Sequence, residues 1–320
     1  MISRKSKLER AASVALRTCM GLKKDESLLV VYDARQDKIA KSIFNAGCEI
    51  GSKADLLKIK ELKVNGEEPC SDTASKMLEY DVIMLVTSKS LSHTKARREA
   101  CSKGARIASM PGITDDMFVR TMAADYFKIK NVSDKIKDVL SKAKTIRILT
   151  SKGTDLTMEI SGRRVMSDSG IYHSKGDFGN LPAGETCLAP VEGSTKGVLA
   201  VDASFLEKVD KPIFIKIREG YAVSIDGGET AQKLSKILAN VHDKNAYAVA
   251  ELGIGTNDAA RISGRVLEDE KVLGTAHIAF GNNKSYGGYI DVPIHLDGVF
   301  HRPDIIADGK KIIKNGKLLI

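Results

Sequence analysis

The sequence predicts a chain of two parts. The first, over residues 1–130, is an α/β layer with a parallel sheet of Rossmann-like or flavodoxin-like type; the second, over 131–320, is a mostly antiparallel, β-rich α+β domain. Two observations carry that expectation. In the first part, continuous apolar runs of strand length alternate with helical stripes, as when strands are buried on both faces by the helices between them. In the second, the runs alternate apolar and polar residues and meet at glycine-containing turns, as in antiparallel pairs with one face on a core.

Leu8, Ala12, Ala15, Cys19 and Leu22 recur at helical spacing and predict an amphipathic helix that Gly21 helps to end. Residues 26–33 (ESLLVVYD) read as a buried strand, and Ile39, Ile43 and Ala46 as the face of the helix after it. The unit recurs. Residues 81–86 (DVIMLV) form a second strand, Ser92 is the expected N-cap of a helix reaching Cys101, and Gly104 its C-cap. Residues 106–109 (RIAS) are a further strand, closed by Met110-Pro111-Gly112. The turn after the first strand, DARQD at 33–37, has no glycine to bring phosphates against the backbone, and no GxGxxG or GKS/T pattern occurs. This layer is therefore expected to be structural, or the wall of a cleft.

Ser133 and the stripe Ile136, Val139, Leu140 and Ala143 predict a helix joining the two parts. Residues 145–150 and 155–160 then read as a hairpin around Ser151-Lys152-Gly153-Thr154. Ile213, Ile215 and Ile217, followed by Tyr221, Val223 and Ile225, repeat the form around Gly220. One helix interrupts, with Ala231, Leu234, Leu238 and Val241 on a face; near the end, Asp308-Gly309 and Asn315-Gly316 are type I′ hairpin signals.

With 42% apolar residues the chain has ample material for a core, and no apolar stretch approaches the length of roughly 18 residues needed to span a membrane. The basic start, MISRKSKLERAAS, lacks the apolar run of a secretory signal, so a cytoplasmic protein is expected. Five cysteines, widely spaced and without a CxxC pair, argue against a disulfide framework and a zinc ribbon. Cys187 reads as a buried neighbour of Glu185, not as a nucleophile. The net charge of +9 comes from lysines spread along the chain; no basic stripe interleaved with aromatics occurs, and Trp is absent, so a nucleic-acid partner is not expected.

Chemistry concentrates between residues 181 and 297. LPAGE ends at Glu185, AVAELGIGTN carries Glu251, GTAHIAFG carries His277, and VPIHLDG carries His295 and Asp297. Each lies beside glycines or at the end of an apolar run, where a strand stops and a side chain faces a cleft. His295 and Asp297, two apart on a strand, point the same way, and His277 shares its strand face with the small residues Thr275 and Ala279. A lone His or Glu near a turn is ordinarily structural. Here three of six histidines fall between 277 and 301, which gathers a metal-ligand vocabulary in one stretch.

These motifs, GETCLAP, ELGIGTN, DEKVLGTAHIAFG and HLDG, resemble in the same order the ligand motifs of the aminopeptidase T / aminopeptidase S metallopeptidases, the thermophilic leucyl aminopeptidase type. The resemblance implies a two-metal site with Glu185, Glu251, His277, His295 and Asp297 as ligands. Two departures stand out: the chain is shorter and its 277–295 stretch is compressed. The family's tyrosine follows the first histidine closely; Tyr286 is the nearest candidate here.

The expectation is a metallo-aminopeptidase, a hydrolase working with two divalent ions (Zn, Co or Mn), on a peptide or small-molecule substrate, as a homodimer. Paired ions lower the pKa of a bridging water, hold the free amine and polarise the scissile carbonyl. Glu185 and Glu251 are each open to the role of ligand or general base. A rival reading uses the same residues, because His277, His295 and Asp297 make the two-histidine, one-carboxylate triad of mononuclear Fe(II) oxygenases. Relatives of the aminopeptidase T group, the 2,5-dihydroxypyridine dioxygenases, resemble that pattern. A third reading is a binding protein that has lost catalysis.

Overall fold

The computed structural model describes residues 6–320, and the chain divides into two compact units. The first comprises Met1–Lys128 and Gly170–Ala183, and the second Ile129–Ser169 and Gly184–Ile320.

The first unit is built on a five-stranded parallel sheet in the order Lys53–Lys58, Ser27–Tyr32, Val82–Val86, Arg106–Ser109, Phe178–Asn180. The three central strands are the apolar runs read from the sequence. Leu29, Val31, Ile83, Leu85 and Ile107 form a buried cluster with Ala96 and Ala100 of the helix Lys95–Ser102. The edge strand Phe178–Asn180 was not legible: it has three residues and enters the sheet from far along the chain. The helix Lys95–Ser102 is capped by Thr94, whose hydroxyl accepts from the Arg97 amide, and not by Ser92; the Ser92 hydroxyl instead donates to that of Ser109. Gly104 has φ +105°, the left-handed conformation expected after a helix end. The first helix is α only over Lys7–Ser13 and widens to a π-helix over Val14–Cys19, with the Met20 amide donating to the Ala15 carbonyl.

The second unit has two antiparallel sheets. Eight strands run in the order Tyr221–Asp226, Ile213–Arg218, Lys196–Val201, Asp155–Glu159, Thr145–Leu149, Asp304–Ala307, Lys310–Lys314, Lys317–Leu318. Seven run in the order Glu207–Lys208, Ser204–Phe205, His295–His301, Thr275–Gly281, Val249–Gly255, Glu185–Leu188, Met166–Asp168. Alternating residues of both, among them Ile146, Ile148, Ile215, Leu252, Ile278 and Phe300, meet in one core with Leu234 and Leu238 of the helix Glu229–Asn240. Asp308 and Gly309, and Asn315 and Gly316, have positive φ in pairs, as type I′ turns require. No helix among the described residues is long and apolar enough to cross a membrane.

Candidate metal centre

Register alone gathers the candidate residues. Glu185 pairs with Gly255, His277 with Gly253, Glu251 with Ala279, Asp297 with Ala279 and His295 with Gly281. Cross-strand partners share a face, and so do residues two apart on one strand. Glu185, Glu251, His277, His295 and Asp297 therefore stand on one face of the seven-stranded sheet. Leu188, Leu252, Ile254, Ile278 and Phe280, on the other face, lie in the core. Helix Tyr126–Leu140 anchors the edge of this region, since the Ser133 hydroxyl bonds that of Thr256 at 2.7 Å and the Ser133 carbonyl accepts from the Thr186 hydroxyl at 2.8 Å.

The side chains converge in the interior. Nε2 of His277 lies 3.5 Å from Glu185 and 3.7 Å from Glu251, and Nε2 of His295 lies 2.9 Å from Glu251 and 3.3 Å from Asp297. The ring of His277 rests on Gly253, where a Cβ would come within 2.1 Å of Cε1 and Nε2. Nδ1 of His295 is 2.7 Å from the Asn282 carbonyl, to which it donates, so Nε2 keeps its lone pair for the centre. That arrangement is usual for an imidazole that ligates a metal.

The polar atoms at the focus lack hydrogen bonds. Glu185 Oε2, both ring nitrogens of His277, His295 Nε2 and Asp297 Oδ1 are buried without a hydrogen-bond partner, and His295 approaches Glu251 at 2.9 Å as an ion-pair contact. Such atoms are costly unless something satisfies them. Glu251, His277 and Asp297 offer ligand atoms within 4.8 Å of one another, as do Glu185, Glu270 and His277.

The electrostatics agree. Burial lowers the pKa of His277, but the carboxylates of Glu251, Glu185 and Asp297 outweigh it and raise it to about 9; the same competition raises His295. Burial raises Glu251, yet the two imidazoles win and hold its carboxyl well below the usual range. The focus thus draws positive charge, which a divalent cation would supply while leaving the imidazoles neutral ligands. Cys187 is buried with its thiol raised by desolvation, in keeping with a neighbour and not a nucleophile.

Tyr286 stacks on His295 with ring centroids 5.0 Å apart and an interplanar angle of 16°. Burial and the carboxylates of Glu251 and Asp297 raise its pKa, so the phenol stays protonated. Its loop is fastened from below: Glu192 accepts from the Asn283 side chain and the Tyr289 amide, and pairs with Arg163.

Three residues were missed in the sequence. Lys271 is 1% exposed, with Nζ 2.5 Å from Glu185 Oε1, 2.6 Å from Glu270 and 3.8 Å from Asp168. Burial lowers its pKa, but these carboxylates outweigh it and keep the ammonium charged. Burial also pushes the Glu185 carboxyl up, to about 8, against the pull of Lys271, whose ammonium donates to it at 2.5 Å. Glu270 and Lys271 stand within DEKVLGTAHIAFG and look like any solvated charge run, so only their place just before the His277 strand was a signal.

From residue 7 to residue 320 the chain matches the family model NicX, 2,5-dihydroxypyridine 5,6-dioxygenase. The chain belongs to the NicX family. No curated protein matches it. The solved structure of a 2,5-dihydroxypyridine dioxygenase from Pseudomonas putida KT2440 is similar at 17% identity, with a TM-score of 0.84 over 99% of this chain and 98% of that one. Wild-type AmpT from Thermus thermophilus is similar at 15% identity, with a TM-score of 0.73 over 98% of this chain and 99% of that one. At such identities the likeness shows a shared fold.

NicX membership overturns the expectation of a metallo-aminopeptidase, and with it the hydrolase and protease reading. The dioxygenase is also the better of the two structural likenesses. The reason is that both readings were drawn from the same residues of this chain, among them His277, His295 and Asp297, so motif order could not separate them. The resemblance had ranked the peptidases first and the dioxygenases as relatives; the family reverses that order.

Proposed function

We propose that this NicX-family chain is a mononuclear Fe(II) dioxygenase that opens the ring of a dihydroxypyridine or a closely similar heteroaromatic diol, with His277, His295 and Asp297 holding the iron. The observation that supports it is the set of buried, unpaired donor atoms of these three residues meeting on one sheet face, with Glu251 between the imidazoles. Two imidazoles and a carboxylate suit Fe(II) and leave positions open for small molecules. Glu185 stays outside this set because Lys271 engages its Oε1.

When bound, the iron supplies redox equivalents for oxygen and a Lewis acid for the substrate hydroxyl. The chain's own groups do the rest. The Asn282 carbonyl fixes the tautomer of His295. Glu251, held ionised, accepts at its carboxylate the proton that a substrate hydroxyl gives up on binding. Tyr286 offers a flat surface beside His295 for a planar ring and keeps its proton as a donor.

The test is oxygen uptake. Protein loaded anaerobically with Fe(II) and given 2,5-dihydroxypyridine should consume a molecule of oxygen for each ring opened, with loss of the aromatic absorbance. Iron-loaded protein that leaves both oxygen and a panel of dihydroxypyridines and catechols untouched would refute the proposal.

A further inference from the structure

We infer that the ammonium of Lys271 takes the place of a second metal ion, so that this sheet face holds one divalent cation and not two. The inference rests on the reading that His277, His295 and Asp297 form a metal site.

The geometry of Glu185 carries the argument. Its two oxygens face different positive groups: Oε1 meets Lys271 Nζ at 2.5 Å, while Oε2, without a hydrogen bond, lies 3.5 Å from Nε2 of His277. A carboxylate shared in this way is what two neighbouring cations use as a bridge, and here one of the two is an ammonium carried by the chain. Lys271 is enclosed by three carboxylates: its ammonium donates to Glu185 and Glu270, and Asp168 pairs with it at 3.8 Å. Register places two of them side by side, since Asp168 pairs with Glu185. The lysine is delivered rigidly: its amide donates to the Glu268 carbonyl, and its carbonyl accepts from the Asn257 amide. It is 1% exposed.

Three carboxylates buried around one point need a compensating cation. A tethered ammonium provides it permanently and denies the position to free ions. Glu185 is then a positioning residue that links Lys271 to the His277 side of the centre.

Manganese is the probe, because it binds carboxylate and imidazole ligands and is counted without reference to turnover. Wild-type protein equilibrated with excess Mn(II) and desalted should hold close to one ion per chain. Lys271→Ala, prepared in the presence of Mn(II), should hold close to two, with an exchange-coupled signal in electron paramagnetic resonance and a thermal midpoint that rises with Mn(II) more steeply than that of wild type. Lys271→Arg, which keeps a cation there, should stay at one. Three results overturn the inference: wild type holding two ions, Lys271→Ala with a native circular-dichroism spectrum holding one or fewer, or Lys271→Ala failing to fold even in millimolar Mn(II). The ion count is independent of oxygen uptake, so failure of the dioxygenase reading leaves a separate signature.

Discussion

Replacing Gly253 by alanine tests whether the sheet register itself builds the centre. Gly253 has ordinary strand backbone, so alanine is allowed conformationally; what it lacks is space. A Cβ there would sit 2.1 Å from Cε1 and Nε2 of His277 and 2.9 Å from Cδ2. Carbon contacts want roughly 3.5 Å, so the ring must retreat by more than about 1 Å. His277 is fully buried, so its ring can move only by displacing its neighbours or turning its Nε2 away from the centre. Overpacking of this kind costs about 1–3 kcal/mol, which a domain of this size survives. A ligand displaced by about 1 Å costs far more in function, on the order of 100-fold in rate. Gly253→Ala should therefore keep its circular-dichroism spectrum while metal retention falls and kcat/KM for oxygen uptake drops on that order. In a His277→Ala background the same alanine should cost nothing further, because the ring it strikes is gone. Wild-type metal retention and turnover in Gly253→Ala, or full additivity in the double variant, would refute the reasoning.

Other perturbations separate the roles. Asp297→Asn keeps shape but removes a charge whose Oδ1 makes no hydrogen bond, so retained metal should fall by roughly 10-fold or more by elemental analysis. Tyr286→Phe keeps the stack on His295 and should hold metal normally while oxygen uptake slows by about 100-fold; Tyr286→Ala should lose both. Away from the centre, Glu26 forms a two-pronged pair with Arg106 at 2.8 and 2.7 Å, and that contact holds its carboxyl below the usual value of 4.5. A depressed folded pKa gives stability that is full above the unfolded value and lost as pH falls through the folded one. Glu26→Gln should thus cost about 2 kcal/mol in urea unfolding at neutral pH, and the difference from wild type should shrink as pH drops below 4.5.

Much of the fold was legible because burial imposes simple patterns. ESLLVVYD and DVIMLV could only be strands covered on both faces, and the Ile213, Ile215, Ile217 alternation only a strand with one face inside. What escaped was set by distant partners. Phe178–Asn180 is a strand only because Arg106–Ser109 offers it an edge. Thr94 outcompetes Ser92 as a cap because the Ser92 hydroxyl is engaged by Ser109, seventeen positions on.

The centre divides in the same way, and the division explains why one set of motifs suggested two chemistries. His295 and Asp297 could be placed on one face from their spacing, because strand alternation is local. The register that brings Glu185 and Glu251 to them is not local, and neither is the arrival of Lys271 from the turn before the His277 strand. Five ligand-type residues in order describe a cluster able to hold cations; they do not say how many. That number depends on the charge already supplied by the chain. On the inference above, a buried ammonium among Glu185, Glu270 and Asp168 changes the count without altering any of the five ligand-type residues. Lys271 reads in the sequence as one more solvated charge, and only the register that sets Glu185 beside Asp168 shows that its ammonium is enclosed.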